Sequence, residues 1–168
     1  THQSFQFNDP NSPFDIALLK LVEPVAFSIS IQPICLPEYS TEGNTRNHDA
    51  IAIGYGFIHV VKDESDYILE ADSKAYKTID CQETDYKDSN MKETICANAV
   101  VRDSRINYED FGGPLVFLGS KNYVQRGIAS FQSNGSLPDV FTDVKMFVPW
   151  IHEKTSEATY CSNPNAEY

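Results

Sequence analysis

An all-β chain closed by one terminal helix is the fold class this sequence predicts, and three observations predict it. Six short runs are apolar or alternate apolar with polar residues, at 16–21, 50–53, 69–76, 115–118, 124–130 and 140–144. Turn-forming residues cluster between them, as in Asn8-Asp9-Pro10-Asn11-Ser12-Pro13 and Ser133-Asn134-Gly135-Ser136. A single helical stripe stands near the end, with Val144, Phe147, Val148 and Ile151 at the i, i+3, i+4, i+7 spacing. Many short, turn-punctuated strands with one helix describe a β-sandwich or barrel.

The elements justify themselves in order. Residues 16–21 and 50–53 are near-continuous apolar runs, suited to strands covered on both faces. Residues 69–76 place Leu69, Ala71, Ser73 and Ala75 on one face and Glu70, Asp72, Lys74 and Tyr76 on the other. The runs at 115–118, 124–130 and 140–144 are rich in Val, Leu, Ile and Phe. The helical stripe contains Pro149, which is expected in the first turn, where its missing N–H costs nothing.

The chain is one domain in size at 168 residues, with a 41% hydrophobic fraction that argues against disorder. A net charge of -11 argues against nucleic acid and against anionic membrane surfaces as partners. The longest apolar run, 50–61, is interrupted by glycines and a histidine and is too short to span a bilayer. No signal peptide stands at Thr1, no repeat is present, and no cofactor motif is visible.

The richest motif is Tyr108-Glu109-Asp110-Phe111-Gly112-Gly113-Pro114-Leu115-Val116. It resembles the nucleophile loop of the chymotrypsin/trypsin family of serine proteases, which reads Gly-Asp-Ser-Gly-Gly-Pro-Leu-Val. Other landmarks follow in the family's order. Asp15-Ile16-Ala17-Leu18-Leu19-Lys20-Leu21 resembles the strand that opens on the triad aspartate, and Gln32-Pro33-Ile34-Cys35-Leu36-Pro37 the link between two barrels. Gly54-Tyr55-Gly56 stands for Gly-Trp-Gly, and Thr94-Ile95-Cys96-Ala97 precedes the loop as in the family. Gly127-Ile128-Ala129-Ser130-Phe131 is similar to the strand lining the substrate cleft. Pro138-Asp139-Val140-Phe141-Thr142-Asp143-Val144 is similar to the pocket wall, and Val148-Pro149-Trp150-Ile151 to the terminal helix. The resemblance implies a trypsin-like double β-barrel: residues 1–37 the end of the first barrel and the link, 38–144 the second barrel, 145–168 a C-terminal α-helix and tail.

Phe111 stands where that family has its attacking serine. A phenyl ring has no lone pair and no acidic proton, so it forms no acyl-enzyme. The family's Ile-Val-Gly-Gly and Thr-Ala-Ala-His-Cys segments would lie upstream of Thr1, and none of His2, His48, His59 or His152 has such a context. The expectation is a non-catalytic homologue, not an enzyme: a secreted regulatory or binding protein of an extracellular proteolytic pathway, needing no cofactor. Its implied partner is a protein, either a protease or a protease substrate. The competing readings are an active enzyme with altered chemistry and an inert partial gene product.

The resemblance also assigns site positions. Asp15 is the relict triad aspartate; the alternative is a carboxylate capping backbone N–H groups at a strand start. Glu109 and Phe111 would supply the two oxyanion-hole N–H groups, with Glu109 replacing a glycine. Asp110 needs a partner other than a freed N-terminus. Arg105, Gln132 and Asp139 fall in the specificity pocket. Arg105 and Asp139 are expected to pair across and plug it, the alternative being loops that carry both to water. Tyr108 and Phe131 would line what remains of a groove. Ser104 and Ser130 are the nearest hydroxyls, with no base visible beside them.

Four cysteines permit three pairings. The resemblance selects Cys81–Cys96, and it matches Cys35 to a position that bridges to a segment before the protease domain. Cys161 has no counterpart; it pairs with Cys35 if the two lie close, or with another chain. Two family disulfides are absent. One would join Ala50 to Phe117, both now apolar, and one would end at Asn107, where its loss is expected to loosen the pocket wall. Lys62-Asp63-Glu64-Ser65-Asp66 lacks the spacing of a calcium loop, and no Cys/His cluster has zinc spacing. Asn134-Gly135-Ser136 is an N-glycosylation sequon.

Overall fold

The computed structural model describes residues 1–7, 12, 14–39, 48–55, 67–77, 93–101, 105–119, 122–133 and 138–161. The strands are β1 His48–Gly54, β2 Leu69–Lys77, β3 Thr94–Ala99, β4 Pro114–Leu118, β5 Tyr123–Phe131 and β6 Asp139–Asp143, followed by helix α1, Val144–Lys154. They close a barrel in the order β1-β2-β3-β6-β5-β4, with every neighbouring pair antiparallel. This is the all-β barrel and terminal helix that the turn-punctuated runs predict. β3 is the strand the apolar runs did not single out, although its Thr-Ile start suits a pleated surface.

Alternation fills the barrel. Ala50, Ala75, Ile95, Ala97, Leu115, Phe117, Ala129 and Phe141 point inward and join Ile106 in one buried cluster. Ala50 and Phe117 lie directly opposite each other on β1 and β4, both 4% exposed. The positions that the family bridges by a disulfide are here a small and a large apolar side chain, which fill the same space by packing. All five residues of β6 are buried: Phe141 faces the barrel core, Asp139 and Asp143 pair with arginines, and the Thr142 hydroxyl donates to the Asp15 carbonyl at 2.8 Å.

α1 begins where Asp143 caps it, Oδ1 accepting the Lys145 N–H at 3.1 Å. The other oxygen of Asp143 accepts from Arg126 Nη2 of β5 at 3.0 Å, and both side chains are at least nine-tenths buried. Burial lowers the Arg126 pKa and the Asp143 charge opposes that shift. Val144, Phe147 and Ile151 pack with Ile16, flanked by Phe14, Leu36, Ile128, Met146, Trp150 and Tyr160. This apolar face holds the helix on both sides of Pro149, which lies inside α1 and not in its first turn. Side-chain burial outweighs the one backbone hydrogen bond that the ring forfeits.

Residues 16–21 form no strand. A strand needs a ladder partner, and within the described residues the segment's backbone bonds are those of the Ile16 N–H to the Phe14 carbonyl and of the His2 N–H to the Ile16 carbonyl. Its side chains split accordingly: Ile16 is buried at 4%, whereas Leu19 is 92% and Leu21 62% exposed. The link then docks by Cys35, which bridges in parallel to Val124. Cys35 is bonded to Cys161, with Cα atoms 4.9 Å apart across 126 residues of sequence. Of the alternatives left open for these two sulfurs, this is the pairing of Cys161 with Cys35, in place of a bond to a missing segment or another chain. The tail after α1 returns to the link, and Tyr160 of the tail and Leu36 of the link both pack against the α1 cluster.

Candidate functional site

The 108–113 loop is built from its own polar groups. Tyr108–Asp110 forms one 3-10 turn whose N-cap is Asn107. Asn107 Oδ1 accepts the Glu109 N–H at 2.7 Å, and Asp110 Oδ2 accepts the Asn107 N–H at 2.9 Å, a reciprocal capping box. Asn107, where the absent family disulfide would end, thus orders its own turn. The Glu109 N–H, expected at an oxyanion hole, is directed to that cap. Asp110 is 8% exposed and sits so close to β1 that a Cβ on Gly54 would fall 2.0 Å from its Oδ1. This approach gives Asp110 a place without a freed N-terminus.

The loop is then laced onto β5. Gly113 N–H donates to the Asp110 carbonyl, Gly112 N–H to the Ala129 carbonyl and Ala129 N–H to the Gly113 carbonyl, each at 2.8 Å. The chain turns at Gly112, whose φ of 87° favours glycine. Phe111 therefore stands on the crest, 45% exposed, and Tyr108, three positions before it, is 68% exposed.

Asp15 is part-buried, and the partner its carboxylate takes is a side chain. Its Oδ2 accepts the Ser130 hydroxyl at 2.7 Å, while its carbonyl holds Thr142. Ser130 was named as a nearby hydroxyl without a base; its proton is directed to a carboxylate brought from 115 positions away. Nothing local in the sequence signals that contact beyond the resemblance of the strand around it.

Arg105 and Asp139 meet. Arg105 Nη2 pairs with Asp139 Oδ1, and its Nε donates to Oδ2 at 3.4 Å, with side-chain exposures of 23% and 7%. Asp139 Oδ1 also accepts the Ser133 N–H at 3.1 Å. Burial pushes the Asp139 carboxyl above its ordinary pKa, and hydrogen bonding and attraction from Arg105 offset part of that. Gln132 does not share this environment: it is exposed while Ser133 is buried, since successive residues of an extended chain face opposite ways. Phe131 is part-buried at the end of β5.

Cys96 is disulfide-bonded. Its expected partner Cys81, the sequon at Asn134, Ser104 and the acidic 62–66 loop lie outside the described residues. Among the described residues no three His, Cys, Asp or Glu side chains gather as a metal site. None of the described helices is long and apolar enough to cross a membrane.

The Trypsin family model matches residues 2–151. Among curated proteins the chain is 33% identical to Chymotrypsin-C of Bos taurus over 149 residues, 83% of this chain and 54% of that protein. It is 31% identical to Duodenase-1 of Bos taurus over 147 residues, 87% of this chain and 56% of that protein. It is 30% identical to Clotting factor C of Tachypleus tridentatus over 171 residues, 90% of this chain and 16% of that protein. The chain thus spans about half the length of the first two and a far smaller part of the third. These matches overturn the expectation that the chain is not an enzyme: the relatives bear the names of proteases and the comparisons point to a protease. That expectation rested on Phe111 at the nucleophile position and on the lack of a histidine in the family's context within this sequence.

Proposed function

The chain belongs to the trypsin family, and from that premise we propose that it serves an extracellular proteolytic pathway by engaging a polypeptide at the crest of the 108–113 loop. The observation that carries this is the exposed aromatic pair Tyr108 and Phe111, held on a loop fastened to both β1 and β5. Aromatic side chains on a rigid support anchor protein interfaces because they bury a large area with little entropy loss. The net charge of -11 favours a basic partner segment. Any peptide-bond cleavage by the whole protein takes its attacking atom from a residue other than Phe111, whose side chain has none to give.

The experiment titrates a fluorescein-labelled unfolded basic polypeptide into the protein and assays new α-amino groups in the same samples. Saturable binding is expected, weakened about tenfold by Phe111→Glu. New amino groups appearing with the bound fraction extend the reading from engagement to cleavage. Binding unchanged by Phe111→Glu and by Tyr108→Glu removes the loop crest as the contact.

A further inference from the structure

The phenols at the surface stand in very different surroundings. Tyr67 is 78% exposed, further out than Tyr39, Tyr55, Tyr108 or Tyr123, none of which exceeds 68%. It is also the one with the most carboxylates beside it. Asp63, Glu64, Asp66, Glu70 and Asp72 all fall within five positions of Tyr67 in the sequence. Tyr55 and Tyr123 have no carboxylate within that span, and Tyr123 has Lys121 and Arg126 instead. Tyr39 has Glu38 and Glu42. Tyr108 has Asp103, Glu109 and Asp110, but it is fixed in the 3-10 turn and Asp110 is buried. Exposure and charge therefore single out the same phenol by separate criteria.

We propose that Tyr67 is a sulfation site, its phenol taking a sulfuryl group from an adenosine phosphosulfate. This rests on the reading of the chain as part of an extracellular pathway, because tyrosine sulfate esters are made on proteins in the secretory route. The phenolic oxygen forms the new O–S bond, and the bond from sulfur to the donor's bridging oxygen breaks. The donor leaves as the adenosine phosphate, and the phenolic proton passes to a base of the transferring enzyme. Nothing is oxidised or reduced. An enzyme that handles so anionic a donor presents a cationic cleft, and acidic flanks dock there where basic ones are repelled. Glu70 and Asp72 are exposed on the outer face of β2, open to such a cleft.

The position gives the ester a use. Tyr67 stands two residues before Leu69, which pairs with Gly54, and Gly54 abuts Asp110. Tyr67 thus enters the barrel at the end that carries the 108–113 loop. A sulfate monoester stays ionised at every physiological pH, so it adds a fixed negative charge to those of Glu70 and Asp72 on the side where a basic polypeptide is to be engaged.

The folded chain is incubated with a tyrosine sulfotransferase and labelled adenosine phosphosulfate, and the label is located by peptide mass mapping. Label is expected on Tyr67 and not on Tyr55 or Tyr123, and Tyr67→Phe removes it. Glu70→Gln combined with Asp72→Asn alters only exposed side chains and should slow labelling about fivefold. Protein secreted by cultured animal cells behind a cleavable leader should carry the same ester, resistant to phosphatase. Label that is absent, that falls on Tyr55 or Tyr123, or that ignores the two carboxylates overturns the site, and so does an ester that phosphatase removes. The readout is independent of polypeptide binding. A labelled Tyr67 in protein that binds no basic polypeptide upholds the site and fails the loop-crest reading; binding by protein whose Tyr67 takes no label does the reverse.

Discussion

Gly112 and Gly113 are neighbours that resist replacement for different reasons. Gly112 has open space around it and a φ of +87°, so Gly112→Ala pays only for an unusual backbone conformation, about 1–2 kcal/mol. A Cβ on Gly113 would stand 2.7 Å from the carbonyl oxygens of both Asp110 and Ile53, and neither backbone can step aside. Gly113→Ala should cost more, about 3 kcal/mol, and should detach the loop from β1; urea denaturation of the two variants ranks them. Arg105 and Asp139 offer a second residue-scale test. The folded Asp139 carboxyl holds its proton more tightly than the unfolded one, so its contribution falls as pH climbs from the ordinary carboxylate range to the raised value. Arg105→Gln removes the opposing attraction and should steepen that fall, costing about 2 kcal/mol near neutrality, while Asp139→Asn should flatten it. Thermal melts across that range read both slopes. The loop was legible in the sequence because its glycines and proline are spelled out contiguously. The Asp15–Ser130 contact was not, because a hydrogen bond across 115 positions leaves no local pattern.

At the scale of elements, the joint between β5 and α1 is made by Asp143, which caps the helix with one oxygen and neutralises Arg126 with the other. Asp143→Ala removes the cap and leaves a guanidinium with 7% side-chain exposure without that carboxylate. A loss of about 4 kcal/mol is expected, from the lost cap together with the lost carboxylate partner of a buried guanidinium. The double variant Arg126→Leu, Asp143→Ala removes the charge as well and should recover to within about 2 kcal/mol of the parent. Denaturant midpoints decide: a double variant worse than Asp143→Ala alone would show that the pair stabilises beyond satisfying its own charges. The helix was visible as an apolar stripe, and Pro149 was misplaced within it because the local N-cap at Asp143 starts the helix earlier, leaving the proline beyond the first turn, where packing of the apolar face holds it. The run at 16–21 failed as a strand for the converse reason. Its composition suits a ladder, but a ladder belongs to two segments, and its apolar side chains at Leu19 and Leu21 meet no cover among the described residues.

Over the whole molecule, the Cys35–Cys161 bond joins the segment that enters the barrel to the tail that leaves α1. It closes 126 residues of chain, for which the loop-entropy relation gives about 5 kcal/mol of unfolded-state restraint. Unlike the contacts on the barrel's inner face, this tie acts mainly by restricting how far the unfolded chain can spread. That matters for a chain of net charge -11, whose unfolded form repels itself outward. Composition could not choose this pairing among the three open to four cysteines, since Cys35 becomes a near neighbour of Cys161 only once Tyr160 and Leu36 share the α1 cluster. Cys35→Ala, Cys161→Ala and the double variant should each lower stability by about 2–5 kcal/mol, or roughly 10 °C in Tm. The three losses should agree within about 0.5 kcal/mol, because either single change already destroys the bond. Peptide mapping without reductant should recover Cys35 and Cys161 in one cross-linked fragment. Additive losses, or a fragment joining either sulfur to a different cysteine, would mean that entry segment and tail are held by separate ties.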